Sequence, residues 1–431
     1  MEVDDAEKQQ FDLEPQQELR FDVTGREDVE LKLLEGMAEI FGAPLEQHKK
    51  YLFSTGSRAA VFTWGKAKLE LIGSATCYVS DDTPMIVYVN AHAALEQLRK
   101  AAEKPEDKER AGQGPRMMVV GPTDVGKSTF CRILCNYAVR QGHTPIYVDL
   151  DVGQNSISVP GSIAAVHVNR VSDVVDGGLP ASPLVYNFGA LSPSDNNAYY
   201  NKLVEALAKA VSVKTAANLT TGISGVIINT CGWIADEGYA MIVEAALQFE
   251  VDIVVVLDQE RLYNELVKTL PSFVKIAHLP KSGGVETRSR ERRIRTRNFN
   301  IHRYFYGTRT NTLAPHSYQI KVDTIKLVKI GTEAVPDECL PVGMKKEDYS
   351  SKVLAMQFNP NELRYQLLAI SPCKEICPEV ATTPVLGYIV ITEVDAEEGQ
   401  ITVLSPQDSI PEGSIFVHTK IQFLDDFTMP M

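Results

Sequence analysis

Apolar positions along the chain change their spacing twice, and the changes divide it into three parts. From residue 1 to about 90, short alternating stretches such as Val29-Glu30-Leu31-Lys32-Leu33 and Ala60-Val61-Phe62-Thr63-Trp64 are separated by glycines at 36, 42, 56, 65 and 73. Alternation broken by turn residues at that interval predicts half-buried strands in a small β-sandwich. Asn90 is placed to cap a helix over Ala91 to about Ala102, and the charged, apolar-poor stretch from Glu103 to Pro115 reads as a linker. Apolar runs then recur at Met117 to Val120, Pro145 to Asp151, Leu184 to Phe188, Val226 to Thr230, Ile253 to Asp258 and Val274 to Leu279. Helical patterns lie between several of them, for example Asn201 to Val211 and Gly238 to Phe249. Strands alternating with helices predict an α/β domain with a mostly parallel, doubly wound sheet whose ligands lie beyond the strands' carboxyl ends. Beyond about Tyr306 the runs are β-rich again, as in Leu327-Val328-Lys329-Ile330 and Leu386 to Ile391, and predict a mixed, mainly β domain without a chemical motif. The expected domains are therefore 1–105, 106–305 and 306–431.

Composition narrows the class. A chain of 431 residues with 44% hydrophobic content can bury two or three cores. Its apolar runs all fall well short of the roughly 20 residues of a membrane helix, and it opens on acidic residues rather than a basic and then apolar leader, so an intracellular, membrane-free protein is expected. Seven cysteines are few and odd in number, which argues for reduced thiols; their spacing gives no zinc site. The net charge of -13 argues against a protein that coats nucleic acid nonspecifically. One segment departs from that balance: Lys281 to Arg309 carries nine Lys and Arg against two Glu.

The central motif is Gly121-Pro122-Thr123-Asp124-Val125-Gly126-Lys127-Ser128-Thr129, which follows a short apolar run and precedes a helical pattern. This is a P-loop. Glycines let the backbone curl so that successive N–H groups point at phosphate oxygens, Lys127 reaches the β- and γ-phosphates, and Ser128 can hold Mg²⁺. The helix that starts there offers its positive end to the anion. Gly121, Thr123, Asp124, Val125, Gly126, Lys127, Ser128 and Thr129 are thus the expected nucleotide contacts.

Other candidates follow from position. Asp149 and Asp151 end the strand after the P-loop helix, and Asp151 is preferred as the carboxylate that helps hold Mg²⁺ or accepts a proton from an attacking hydroxyl. Asp258, at the end of another strand, is its competitor. Arg288, Arg293 and Arg297 fall on one broad helical face after the turn Pro280-Lys281-Ser282-Gly283-Gly284, and could close over a phosphoryl group; a solvated basic surface or an import signal is the alternative. Trp233, at another strand end, could stack on a base or simply belong to the core. There is no Asn-Lys-x-Asp guanine-reading motif, which disfavours a GTPase switch.

The P-loop run, Asp149-Leu150-Asp151-Val152-Gly153-Gln154, Asn229-Thr230-Cys231-Gly232-Trp233, Val255 to Leu262 and Leu279 to Val285 together resemble the eukaryotic polyribonucleotide 5′-hydroxyl kinases. That family contributes a subunit to pre-mRNA cleavage complex II and to the tRNA-splicing endonuclease complex. The resemblance runs the length of the chain, including Gly36 to Gly42. It implies a nuclear protein that transfers the ATP γ-phosphate to the 5′-hydroxyl of RNA, with Mg²⁺ as cofactor. Asp151 would sit by the hydroxyl and the metal, Arg288, Arg293 and Arg297 would be lid arginines, and Trp233 would stack on a terminal base. Gln154 would contact RNA or the metal's waters. Glu18 and Arg58 would close over the adenine side, with Arg58 standing where animal relatives have Lys. Some fungal members bind ATP without phosphorylating RNA, so an ATP-loaded scaffold is the rival reading.

Overall fold

The computed structural model describes residues 8–104, 111–178, 182–331, 349–357, 359, 363–395 and 397–423. The acidic start (1–7) and residues 105–110, which hold the middle of the expected linker and the first expected domain boundary, lie outside the described residues.

The alternating amino-terminal segment forms two facing antiparallel sheets. One orders the strands Lys8–Leu13, Ala67–Ile72, Val29–Gly36 and Tyr51–Phe53; the other orders Ala43–Pro44, Glu39–Ile40, Arg58–Phe62, Glu18–Val23 and Ala75–Ser80. Leu19, Leu31, Ile40, Val61 and Leu69 fill the space between them and are fully buried, so this is the sandwich that the alternation predicts. The strand Glu18–Val23, paired on both sides, carries Glu18, Arg20 and Asp22 toward the rest of the molecule.

The linking helix begins earlier than expected. It covers Met85–Ala102, not Ala91 onward, and Asn90 lies inside it. Ile86-Val87-Tyr88-Val89 has strand-like propensity, yet Met85, Tyr88, His92, Leu95, Arg99 and Ala102 recur at helical spacing and are all buried. Burial overrides propensity here. The helix packs on the P-loop helix, with the His92 ring 5.5 Å from that of Tyr137. His92 is 4% exposed, and burial pushes its pKa down to about 4, with Glu96 opposing and Arg99, His143 and Arg140 adding to the fall. A base held neutral in this way adds no pH dependence above pH 6.5. Between 6.5 and 4 the unfolded chain takes up a proton that the folded one refuses, so stability is lost. Denaturant midpoints should therefore record about 2 kcal/mol less stability at pH 4.5 than at pH 7 from this residue, a component that His92→Phe removes.

The central sheet orders Leu184–Asn187, Ser162–His167, Ile146–Asp149, Val226–Asn229, Arg116–Val120, Ile253–Leu257 and Lys275–Leu279. The last five are mutually parallel; Ser162–His167 runs antiparallel to Ile146–Asp149 and to Leu184–Asn187. Ser162–His167 went unpredicted because its Ser-Ile-Ala-Ala core is short and small-residued. Helices cover both faces: Asn197–Ala217 and Glu237–Gln248 pack with one core, Lys127–Arg140 and Met85–Ala102 with the other. Arg116–Val120, buried on both faces, ends in the middle of the sheet, and the P-loop leaves it there.

The carboxyl-terminal segment forms a mixed seven-stranded sheet, His316–Lys321, Gln400–Ser405, Gly387–Asp395, Gln366–Ser371, Ile415–Gln422, Lys326–Ile330 and Val353–Ala355 in spatial order. One face of it packs on Ile301 and Phe305 of the helix Arg290–Tyr306.

Candidate active site

Beyond the carboxyl ends of the central strands lies a cleft of about 1040 Å³, closed on one side by the amino-terminal sandwich and on another by the arginine-rich helix. The P-loop forms its floor. Gly121 has φ +148°, and a Cβ there would come within 2.7 Å of the Leu257 carbonyl oxygen, so the turn out of the strand is open to glycine alone. Gly126, at φ +93°, is the N-cap of Lys127–Arg140 and supplies no side-chain cap, which leaves the helix's first N–H groups for an anion. Lys127 is 8% exposed, and its Nζ donates to Gly121 O (2.8 Å) and Pro122 O (2.6 Å); burial lowers its pKa, with Asp151 opposing.

Asp149 and Asp151 have separate tasks. Asp149 is fully buried: its Oδ1 accepts from Asp151 N (3.1 Å) and Asn229 Nδ2 (3.0 Å), and its Oδ2 from Ser156 N (2.9 Å) and Ser156 Oγ (2.6 Å). It anchors the loop on which Asp151 rides. Asp151 lines the cleft, and its Oδ1 accepts from Gly153 N (2.9 Å) and Gln154 N (3.1 Å). Burial, followed by the neighbouring Asp149 charge, pushes its pKa up to about 6, with Lys127 opposing. Asp258, the rival carboxylate, is exposed and lies outside the residues lining the cleft.

The basic segment forms the roof. Its helix runs Arg290–Tyr306, capped by Ser289, whose side chain accepts from Arg292 N. Arg288 therefore precedes the helix and does not share a helical face with Arg293 and Arg297 as the spacing suggested; Ser289, a strong N-cap, sets the start one residue beyond it. All three arginines still line the cleft. Arg297 Nε is buried without a hydrogen-bond partner among the described residues. Gln154 reaches the same helix through Nε2 to Arg293 O (3.5 Å).

Trp233 lines the cleft and also rests on the central core. A Cβ at Gly232 would come within 2.4 Å of Thr123 Cγ2, and one at Gly238 within 2.6 Å of Trp233 Cγ, so glycine at 232 lets this turn pack on the P-loop and glycine at 238 leaves room for the indole.

Comparison with known proteins follows the same division. Family profiles described as the N-terminal beta-sandwich domain of polyadenylation factor, the mRNA cleavage and polyadenylation factor CLP1 P-loop and the pre-mRNA cleavage complex II protein Clp1 match residues 12–102, 121–307 and 313–425. The Brugia malayi protein CLP1 homolog is 53% identical over 97% of this chain and 96% of its own length. The Homo sapiens polyribonucleotide 5′-hydroxyl-kinase Clp1 is 46% identical over 96% of both chains. The chain belongs to the Clp1 kinase family. Solved Clp1p from the wild-type Clp1p–Pcf11p complex superposes with a TM-score of 0.84 over 98% of this chain and 99% of that one; at 22% identity the likeness is one of fold.

Two residues expected over the adenine side are Glu18 and Arg58. Glu18 and Arg58 both line the cleft. Glu18 is buried, accepting from Arg20 Nε (2.5 Å) and Thr83 Oγ1 (2.9 Å). Arg58 is committed elsewhere, to Asp22 (2.5 Å) and to Glu286 of the roof. Arg20 was missed by sequence reasoning: it lines the same wall and lies over the Tyr78 ring at 5.8 Å. Its signal was there, since Glu18, Arg20 and Asp22 alternate on one face of a single strand.

The donor set suits Mg²⁺. Ser128 and Asp151 offer oxygen only, and among the described residues no group of three or more His, Cys, Asp or Glu could cage a metal alone. A cation that takes one or two protein oxygens and completes its shell with phosphate and water fits such a site.

Trp233→Ala should leave ATP affinity unchanged and raise KM for a 5′-hydroxyl oligoribonucleotide about tenfold, the loss of one base–aromatic stack. Steady-state kinetics with ATP saturating reads this directly. A lowered melting temperature with unaltered KM would return the indole to the core.

Proposed function

We propose that this chain transfers the γ-phosphate of ATP to the 5′-hydroxyl of RNA. The observation that carries the reading is the joining, in one cleft, of the P-loop, a carboxylate with a raised pKa, three roof arginines and the Trp233 indole. The loop N–H groups and Lys127 hold the polyphosphate. The RNA end enters past Trp233 and Gln154, and its 5′-oxygen attacks the γ-phosphorus as the bond to the β,γ-bridging oxygen breaks. Asp151 takes the hydroxyl proton, and a carboxylate of pKa about 6 is well matched to that transfer near neutrality. The arginine roof, over the cleft, neutralises charge on the equatorial oxygens through a guanidinium it presents there. Ser128 and Asp151 would hold Mg²⁺, and the ion would supply further neutralisation of phosphate charge. The cellular setting we propose is the nucleus, in pre-mRNA 3′-end cleavage with cleavage complex II subunits and in tRNA splicing with the splicing endonuclease.

The test uses γ-labelled ATP and a 5′-hydroxyl oligoribonucleotide. Label on the 5′ end supports the kinase. Tight ATP retention with no label on any 5′-hydroxyl strand would sink it and leave an ATP-loaded scaffold.

A further inference from the structure

Two of the three roof arginines are engaged by a residue of the P-loop itself. Asp124, with its side chain 3% exposed, accepts from Arg288 N (3.0 Å) and Arg288 Nε (2.8 Å) and from Arg293 Nη2 (2.6 Å). A carboxylate beside a polyphosphate site repels the ligand unless its charge is spent on something else. Here it is spent on the roof: although burial opposes ionisation, the Arg293 and Arg288 bonds hold its pKa down to about 2. Its backbone is turned for the purpose, at φ +57°, a left-handed conformation that Asp and Asn tolerate better than other side chains.

Further ties act on the same segment. Arg58 of the sandwich pairs with Glu286, Arg292 Nη2 donates to Gly56 O (3.0 Å), and Val285 Cγ2 lies 3.3 Å from where a Cβ on Gly126 would stand. The first two tie the roof to the sandwich, and the third rests the loop before the helix on the P-loop. None of them reaches a P-loop carboxylate, as the backbone N–H and the guanidinium Nε of Arg288 both do at Asp124. Arg297, one helical turn after Arg293, has no such hold, and its Nε is unpartnered.

We propose that Asp124 is a positioning residue that latches the arginine roof to the P-loop, fixing Arg288 and Arg293 so that Arg297 is presented free to the transferring phosphoryl group. The proposal rests on the phosphoryl-transfer reading for its catalytic consequence, but the latch itself is testable without RNA. Loss of the latch should let the start of the helix open locally, and its arginines are trypsin sites.

The clean variant is Asp124→Asn, which keeps the backbone preference and removes the charge. Trypsin cleavage after Arg290, Arg292 or Arg295 should be at least about fivefold faster than in the wild type, with the melting temperature little changed. In the RNA assay kcat should fall about tenfold or more, while ATP affinity holds or tightens because a negative charge beside the polyphosphate has gone. Arg288→Gln, which leaves the P-loop untouched, should speed cleavage at the same sites, and the double variant should be no faster than the faster single, since one interaction is lost once. Unchanged trypsin protection in both single variants, or additive effects in the double, would overturn the latch. A wild type that fails to label RNA would sink the kinase reading while leaving the proteolysis result to stand or fall separately.

Discussion

Lys127→Ala is expected to lower 5′-phosphorylation of RNA by about a thousandfold, the order lost when one preorganised charge is removed from a buried reaction site. Lys127 is the first residue of its helix and has its ammonium inside the cleft, where the low dielectric makes each charge count for more than in water. Alanine at a helix start carries no penalty in helix propensity, and the surrounding core of Phe130, Ile133 and Leu134 is untouched. Folding should therefore survive, and a thermal melt within a few degrees of wild type would establish it. ATP binding should weaken less than turnover, because the loop N–H groups remain. Label transfer from γ-labelled ATP, measured beside nucleotide affinity, separates the two effects. Wild-type turnover in the variant would mean that phosphoryl transfer occurs elsewhere.

Legibility of this site in the sequence followed how local its physics is. The P-loop was complete in nine consecutive residues because every position there serves one short-range need: a turn, an N–H or a charge. The sandwich and the parallel sheet were likewise readable from period, since burial on one face or two leaves an imprint on every strand. The strand Ser162–His167 left almost none, as its small Ala164 is buried by Ile301, Phe305 and Val328 from distant sequence. The helix Met85–Ala102 was misjudged at its start for a related reason: its β-branched turn is helical because the P-loop helix lies against it. Arg288 lines the cleft but was given the wrong local structure, and the Ser289 cap that ends the error was present in the sequence.

What composition could not supply was commitment. Arg58, Arg288 and Arg293 all line the cleft, yet each is bound to a carboxylate, while Arg297 has an unpartnered Nε. No count of basic residues distinguishes those cases, because partners 164 and 228 residues away decide them. The same holds for the two strand-end aspartates. Asp149 is consumed by Asn229, Ser156 and the Asp151 N–H, and that arrangement leaves Asp151 to face the cleft.

Asp151→Asn should make the protein more stable and far less active at once. An amide retains an oxygen for Gly153 N and Gln154 N, so the turn is kept, but it cannot take a proton from the 5′-hydroxyl. A fall in kcat of about a hundredfold to ten-thousandfold follows from loss of the general base, with ATP affinity changed little. The stability sign comes from the raised pKa. An acid whose folded pKa is about 6, against 3.8 ordinarily, is ionised at pH 7.5 at a cost that the unfolded chain does not bear. Removing that charge should add about 1 to 3 kcal/mol at pH 7.5, and the advantage should shrink as pH falls through 6 and the wild-type carboxyl protonates. Melting curves for both proteins at pH 7.5 and pH 5 test this. Were Asp151 instead a structural counter-ion for Lys127, the variant would melt below the wild type at pH 7.5, because the ammonium would lose its partner inside the cleft. The two roles therefore predict shifts of opposite direction, and activity lost together with stability gained is the pattern expected of a carboxylate retained for its chemistry.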